Sequence, residues 1–312
     1  MKSAAAMREG QTFEGGSLAS RYASFVKLPH TLFALPFAGV GALLASYEYA
    51  ERINMAMILW ILIAFTAARF AAMGFNRIVD RQHDALNPRT QMRELPSGKL
   101  TLTQAWVAVV AASALFVFAS FQLNTLCGWL APVALAWIFF YSYTKRFTSF
   151  AHFVLGLSLG IAPVGAYLAI TGEWSQPAIA LVVIAAAVMC WVAGFDVIYA
   201  LQDLDFDRKH GLHSIPTRLG PDGSLRTARV LHVLSVAAFA AVIGLQLFPV
   251  GWLYSLGLGV MVGLLFYEHR LLAGMRFGQL DLKTIDRAFF KVNVMVSTSF
   301  FACTLLDRLL LA

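Results

Sequence analysis

The stretch MAMILWILIAFTAARFAAMGFNRIVDRQHD, residues 55–84, decides how this chain folds. Residues 55–76 are almost entirely apolar, and roughly 20 such residues carry a helix across a bilayer. Polar groups then arrive at helical spacing, as Asn76, Asp80 and Asp84. At about 100° per residue these three share one face within roughly 80° of arc. Arg69 stands seven residues before Asn76, on the same stripe and about 10 Å deeper in the apolar layer. The stretch reads as a membrane helix with a polar site at its mouth.

The rest of the chain has the same character. Of 312 residues, 59% are apolar and 13% charged, about half the charged share of a soluble domain. A wet surface around a globular core cannot be built from so few charges. Nine segments are candidates to span: about 30–48, 55–76, 103–122, 126–142, 151–170, 177–198, 227–248, 250–269 and 289–311. The expected fold is all-α, a polytopic membrane helical bundle of about nine transmembrane helices. With the N-terminus inside, 21 of the 24 Lys and Arg fall in or beside the segments 1–29, 77–102, 143–150, 199–226 and 270–288. The positive-inside rule places those segments in the cytoplasm, and a bacterial cytoplasmic (inner) membrane is the expected address. The net charge of +7 then belongs to a lipid bilayer surface or an anionic substrate, not to nucleic acid. Residues 1–26 carry Glu9 and Glu14 without an apolar run. They form neither a signal peptide nor an Arg-rich transit peptide and read as a flexible leader before a single transmembrane domain, 27–312.

Two inside segments, 77–102 and 199–226, are long and dense in Asp, Arg and His, whereas the outside connections near 49–54, 123–125 and 171–176 are short. The site is expected at this cytosolic mouth. The second segment follows Asp196-Val197-Ile198-Tyr199-Ala200-Leu201-Gln202-Asp203-Leu204-Asp205-Phe206-Asp207. Asp196, Asp203 and Asp207 share a face if the helix continues, and Asp205 points to solvent. Gly74-Phe75-Asn76 matches Gly194-Phe195-Asp196 at an offset of 120, and Asp80 and Asp84 match Asp203 and Asp207 at an offset of 123. This echo points to a duplication joining helices 2–5 to helices 6–9. Cys127, Cys190 and Cys303 form no metal pattern and read as small buried groups. His30, His83, His210 and His213 cluster near the inside face without helical i, i+4 pairing, which favours solvated or hydrogen-bonding roles. His152 reads as an interhelical hydrogen-bonding group.

Carboxylates at i, i+4 repel by a few tenths of a kcal/mol per pair, and a membrane helix end raises that cost. Arginines of the same segments can offset them, or a cation can. Carboxylate and amide oxygens are hard ligands suited to Mg²⁺, which fills its remaining positions with water or phosphate oxygens. Two such clusters facing each other can hold two Mg²⁺ ions bridged by a diphosphate.

Asn76-xxx-Asp80-xxx-Asp84 and Asp196-xx-Tyr199-xxx-Asp203-xxx-Asp207 resemble the paired motifs of the UbiA superfamily of intramembrane prenyltransferases. The resemblance extends to Arg69, to Arg89-Thr90…Arg93…Leu95-Pro96-Ser97-Gly98 and to Tyr141-xxx-Lys145. The opening Lys27-Leu28-Pro29-His30-Thr31-Leu32-Phe33 is similar to the first helix of the 4-hydroxybenzoate polyprenyltransferase branch. The resemblance implies Mg²⁺-dependent transfer of a polyprenyl group from polyprenyl diphosphate to an aromatic acid, 4-hydroxybenzoate first, as in ubiquinone biosynthesis. Two departures, Arg77 where many members have Asp and His213 where many have Lys, resemble a side branch that prenylates dihydroxynaphthoate for menaquinone. An acceptor such as 1,4-dihydroxy-6-naphthoate therefore stands second.

From the resemblance follow the expected roles. Asn76, Asp80, Asp203 and Asp207 are the main metal ligands, with Asp84 and Asp196 as further ones. Lys27, Arg69, Arg77, Arg93 and Lys145 bind diphosphate, with Arg81 and Lys209 behind them. Tyr141 and Tyr199, with Phe33, Phe37 and Tyr143, line the prenyl cation. Asp80, Asp203, Asp196, Tyr199 and Lys145 form the catalytic set, Asp196 taking up the ring proton. The competing reading is a cation transporter with the acids as its ion path; acids at helix ends instead of the bilayer midplane weigh against it. Neither prenyl length nor oligomeric state is written in the sequence.

Overall fold

The computed structural model describes residues 17–27, 34–273, 285 and 287–310. His30 and Phe33 lie outside the described residues. Among those described there is no strand. The helices are α1 (Leu18–Phe25), α2 (Leu35–Tyr49), α3 (Met55–Leu86), α4 (Leu102–Leu123), α5 (Thr125–Thr144), α6 (Ala151–Thr171), α7 (Ile179–Ala200), α8 (Leu204–Lys209), α9 (Ile215–Gly244), α10 (Trp252–Ala273) and, after a π-helical turn at Arg287–Val292, α11 (Asn293–Leu310). Eight helical segments among the described residues are long and apolar enough to cross a membrane. The ninth expected span is α2, whose described 15 residues reach about 22 Å.

The helices outlast the apolar runs. α3 continues ten residues past Asn76, and α9 starts at Ile215, well before the expected 227, with a break at Gly220 (φ 70°) followed by Pro221. The polar segment 199–226 is therefore largely helical, and 77–102 is helical up to Leu86 before the loop 87–101. Hydropathy reports where lipid stops, but a helix ends where its hydrogen-bond ladder is capped. Ser214 and Thr217 cap α9 reciprocally, and Asn87 ends α3. Part of the expected leader is also structured: α1 is capped by Ser17, and the fully buried Phe25 packs on Phe75, Ile78, Leu100 and Val109.

α7 is the central helix, packed between α6 and α9, while α2 joins α6 to α11 and α3 lies along α4. Phe37 points into this core, 4.8 Å from Trp191 and 5.6 Å from Phe239 between ring centroids. The expectation that Phe37 lines the site is thus corrected, because its face of α2 meets α7 and α9. At the end away from the aspartates, Asp307 of α11 accepts the N–H groups of Gly251 (2.6 Å) and Leu253 (2.9 Å) and the Tyr47 hydroxyl (2.8 Å). A carboxylate thereby satisfies the otherwise unpaired amides that begin α10.

The repeated glycines have the same use in both halves. A Cβ on Gly74 would stand 2.7 Å from Val109 of α4, and one on Gly194 would strike the His232 ring of α9. Each glycine lets a helix that carries aspartates close on its neighbour, the small-residue contact that packs helices in lipid. Gly194→Ala is expected to cost about 1–3 kcal/mol through overpacking, whereas Gly259→Ala, whose Cβ meets open space, costs nothing measurable. Thermal unfolding in detergent checks the pair, and equal midpoints would refute the packing argument.

Candidate active site

One cavity of about 640 Å³ is lined by Lys27, Arg69, Asn76, Arg77, Asp80, Asp84, Arg93, Tyr141, Lys145, Asp196, Tyr199, Asp203 and Asp207. These thirteen expected site residues therefore face the same space, although they come from segments up to 180 residues apart. The acids and cations gather at one end, where α3, α5 and α7 open toward the loop 87–101.

The first cluster rides on unbroken helix. The Asn76 amide donates to Asp80 Oδ2 at 3.1 Å, as i, i+4 neighbours on one face allow. Asp84 is 6% exposed and accepts from Arg93 Nη1 at 2.7 Å, while the Thr90 hydroxyl donates to its backbone carbonyl. Arg77 lies 3.9 Å from Glu94, both nearly buried. At the rim, Arg146 approaches Asp80 only to 4.0 Å and is well exposed.

The second cluster is not on one continuous helix. α7 stops at Ala200, a 3₁₀ turn covers Leu201–Asp203, and α8 resumes at Leu204. The tighter turn still leaves Asp196, Asp203 and Asp207 on the cavity, and Asp205 is exposed as expected. Arg89 grips Asp203 with two donors, Nε to Oδ1 at 2.8 Å and Nη2 to Oδ2 at 2.5 Å, and its Nη1 reaches the Tyr199 hydroxyl at 3.1 Å. The Asn87 amide adds a third bond to Asp203 at 3.0 Å. Asp196 meets His152 Nδ1 at 2.6 Å. His152 Nε2 accepts the Ile215 N–H at the start of α9, so we assign the proton to Nδ1, which donates to Asp196. Lys145 follows the last residue of α5. Desolvation in the cavity opposes its charge, but Asp207, Tyr141, Asp196 and Asp203 outweigh it and hold the ammonium's pKa above the ordinary lysine value.

Buried oxygens Asp84 Oδ2 and Asp207 Oδ2 have no hydrogen-bond partner. An orphaned carboxylate oxygen in each cluster, on residues that line one cavity, fits a hard divalent cation. Among the described residues no three His, Cys, Asp or Glu side chains form a metal cage by themselves.

Other expectations need correcting. Tyr143 is outside the cavity, 41% exposed beneath Arg146 and edge-on to Phe75, because it is two residues round the helix from Tyr141. Arg81 turns back to the Ile78 carbonyl, and Lys209 is exposed. Sequence reasoning gave no role to Asn87 and none specifically to Arg89. Asn87-Pro88 is a turn signal, yet nothing local shows that this turn delivers both side chains to Asp203. Removing Arg89 strands a mostly buried carboxylate, so Arg89→Ala is expected to cost about 3–5 kcal/mol, against under about 1 kcal/mol for Arg146→Ala at the exposed rim. Denaturant unfolding in detergent checks this, and Arg89→Ala/Asp203→Asn is expected to recover part of the loss.

A model of the UbiA prenyltransferase family matches residues 34–293. A 4-hydroxybenzoate octaprenyltransferase of Citrobacter koseri is 31% identical over 226 residues, covering 69% of this chain and 74% of the relative. The solved structure of a UbiA homologue from Aeropyrum pernix K1 superposes with a TM-score of 0.78 at 33% identity, over 89% of this chain and 98% of that one. A UbiA homologue from Archaeoglobus fulgidus, bound to GPP and Mg²⁺, shares the fold with a TM-score of 0.70 at 18% identity, over 91% and 99% of the chains. With the family model covering most of the chain and paired aspartate clusters on one cavity, the chain belongs to the UbiA prenyltransferase family, as a membrane polyprenyltransferase.

Proposed function

We propose that the protein transfers a polyprenyl group from polyprenyl diphosphate to 4-hydroxybenzoate, with Mg²⁺ as cofactor. The reading is carried by one observation: two carboxylate clusters, each with an orphaned oxygen, meet on the cavity that Lys27, Arg69, Arg77, Arg93 and Lys145 also line. The acceptor is taken from the 4-hydroxybenzoate octaprenyltransferase relative, and the metal from the donor set together with the Mg²⁺-bound homologue. Arg77 and His213 keep 1,4-dihydroxy-6-naphthoate as the second acceptor. The bias of Lys and Arg toward the aspartate end supports a site facing the cytoplasm.

Asn76, Asp80, Asp203 and Asp207 would hold the metal, with Asp84 and Asp196 as further ligands, and Mg²⁺ would supply Lewis-acid stabilisation of phosphate oxygens. The cationic side chains stabilise negative charge as the bond from the allylic carbon to the diphosphate oxygen breaks and its electron pair leaves with diphosphate. Tyr141 and Tyr199, the latter 4.1 Å from the Phe289 ring, present aromatic faces to the electron-poor carbon. The apolar remainder of the cavity keeps water from it. The acceptor ring carbon forms the new bond, and Asp196, oriented by His152, accepts the displaced ring proton.

Purified protein given an all-trans polyprenyl diphosphate and 4-hydroxybenzoate is expected to release diphosphate only with Mg²⁺, lose activity to chelator and regain it on Mg²⁺ addition. Asp80→Ala and Asp207→Ala each lower kcat/KM at least about 10²-fold, and Lys145→Met lowers kcat by about 10². Wild-type turnover in both aspartate variants would end the metal assignment, and a naphthoate product in preference to a benzoate one would move the acceptor.

A further inference from the structure

Beyond the charged end, the cavity continues along α6 to the opposite side of the bundle. There it is walled by Ile61 and Phe65 of α3, Leu130 of α5, Ala162 and Gly165 of α6, and last by Trp174 in the loop after α6. Among the described residues lining this half none is charged. The geometry points to Gly165 and Trp174 as the residues that gauge the length of the donor's prenyl tail. This inference rests on the prenyl-transfer reading and adds the specificity of the donor to it.

Depth follows from the helix. His152 marks the level of Asp196, which the proposed mechanism sets beside the reacting ring, and α6 rises from it past Gly165 to Thr171. At 1.5 Å per residue, Gly165 is about 20 Å and Thr171 about 28 Å beyond His152. An extended isoprene unit, four carbon–carbon bonds, measures about 5 Å. The fourth unit of a tail therefore reaches Gly165, and the sixth reaches Trp174. A Cβ built on Gly165 meets nothing within 4 Å, so this position leaves the channel open where any side chain would narrow it. Trp174, 43% exposed, stands at the far end, where its indole N–H donates to the Ala178 carbonyl at 2.8 Å. The donor already has its tail in lipid, an apolar medium like the cavity wall, so burial discriminates little between lengths. Steric exclusion is left to do so.

The test is a donor series of two, four, six and eight isoprene units with Mg²⁺ and 4-hydroxybenzoate in lipid nanodiscs, read as kcat/KM by product mass. Gly165→Leu is expected to lower the ratio of the six-unit to the two-unit donor about tenfold or more. Trp174→Ala, in a loop outside the helices, is expected to raise the ratio of the eight-unit to the four-unit donor about fivefold, the scale of one steric contact relieved. Ratios within about twofold of wild type in both variants, well under that scale, would overturn the inference while leaving prenyl transfer intact. Absence of wild-type turnover with every donor, on 4-hydroxybenzoate and on 1,4-dihydroxy-6-naphthoate alike, would overturn the prenyl-transfer reading, and this inference with it.

Discussion

A carboxylate inside an apolar bundle must be compensated, and the structure is organised around that constraint. Asp203 receives Arg89 and Asn87, Asp84 receives Arg93, and Asp196 receives His152. Each compensating group comes from a different segment than its acid. The desolvation penalty of every acid therefore ties the loop 87–101, α6 and the start of α9 to α3 and α7. Among the acids of the two clusters the compensation is incomplete at one oxygen of Asp84 and one of Asp207. Both residues line the cavity.

The same constraint explains why the site sits at helix ends. Mid-bilayer, an acid has no water-borne partner, and a loop there cannot satisfy its own backbone. At the end of α3 and of α7 a short polar loop can reach over the bundle and deliver arginines from above. Deeper in, the walls are alanine, leucine and aromatic residues, and the helices approach through glycines such as Gly74 and Gly194. A charged mouth above an apolar shaft suits an amphiphile with an anionic head and a hydrocarbon tail.

The helical membrane architecture and the two motifs were legible in the sequence, since each rests on periodicity along a contiguous stretch; that the motifs work as a pair followed only from their resemblance to the family's paired motifs. Helix ends were not, because α3 and α9 run on past their apolar stretches until Asn87 and Ser214 cap them. The neighbours Phe37 and Tyr143 show a second limit. Both are aromatic and close in sequence to the site, and both face away from it, one into the core and one outward. Composition cannot distinguish faces that only packing assigns.

The chain's pattern by itself determined which stretches are apolar enough to cross a membrane and which face of each helix carries the aspartates, because hydropathy and the 3.6-residue period are properties of contiguous sequence. Only the tertiary structure decided which arginine neutralises which aspartate, that His152 serves Asp196, and how far the cavity runs toward Trp174. Those pairings join residues that are distant along the chain, and their energy depends on separation and burial in three dimensions, which no local pattern encodes.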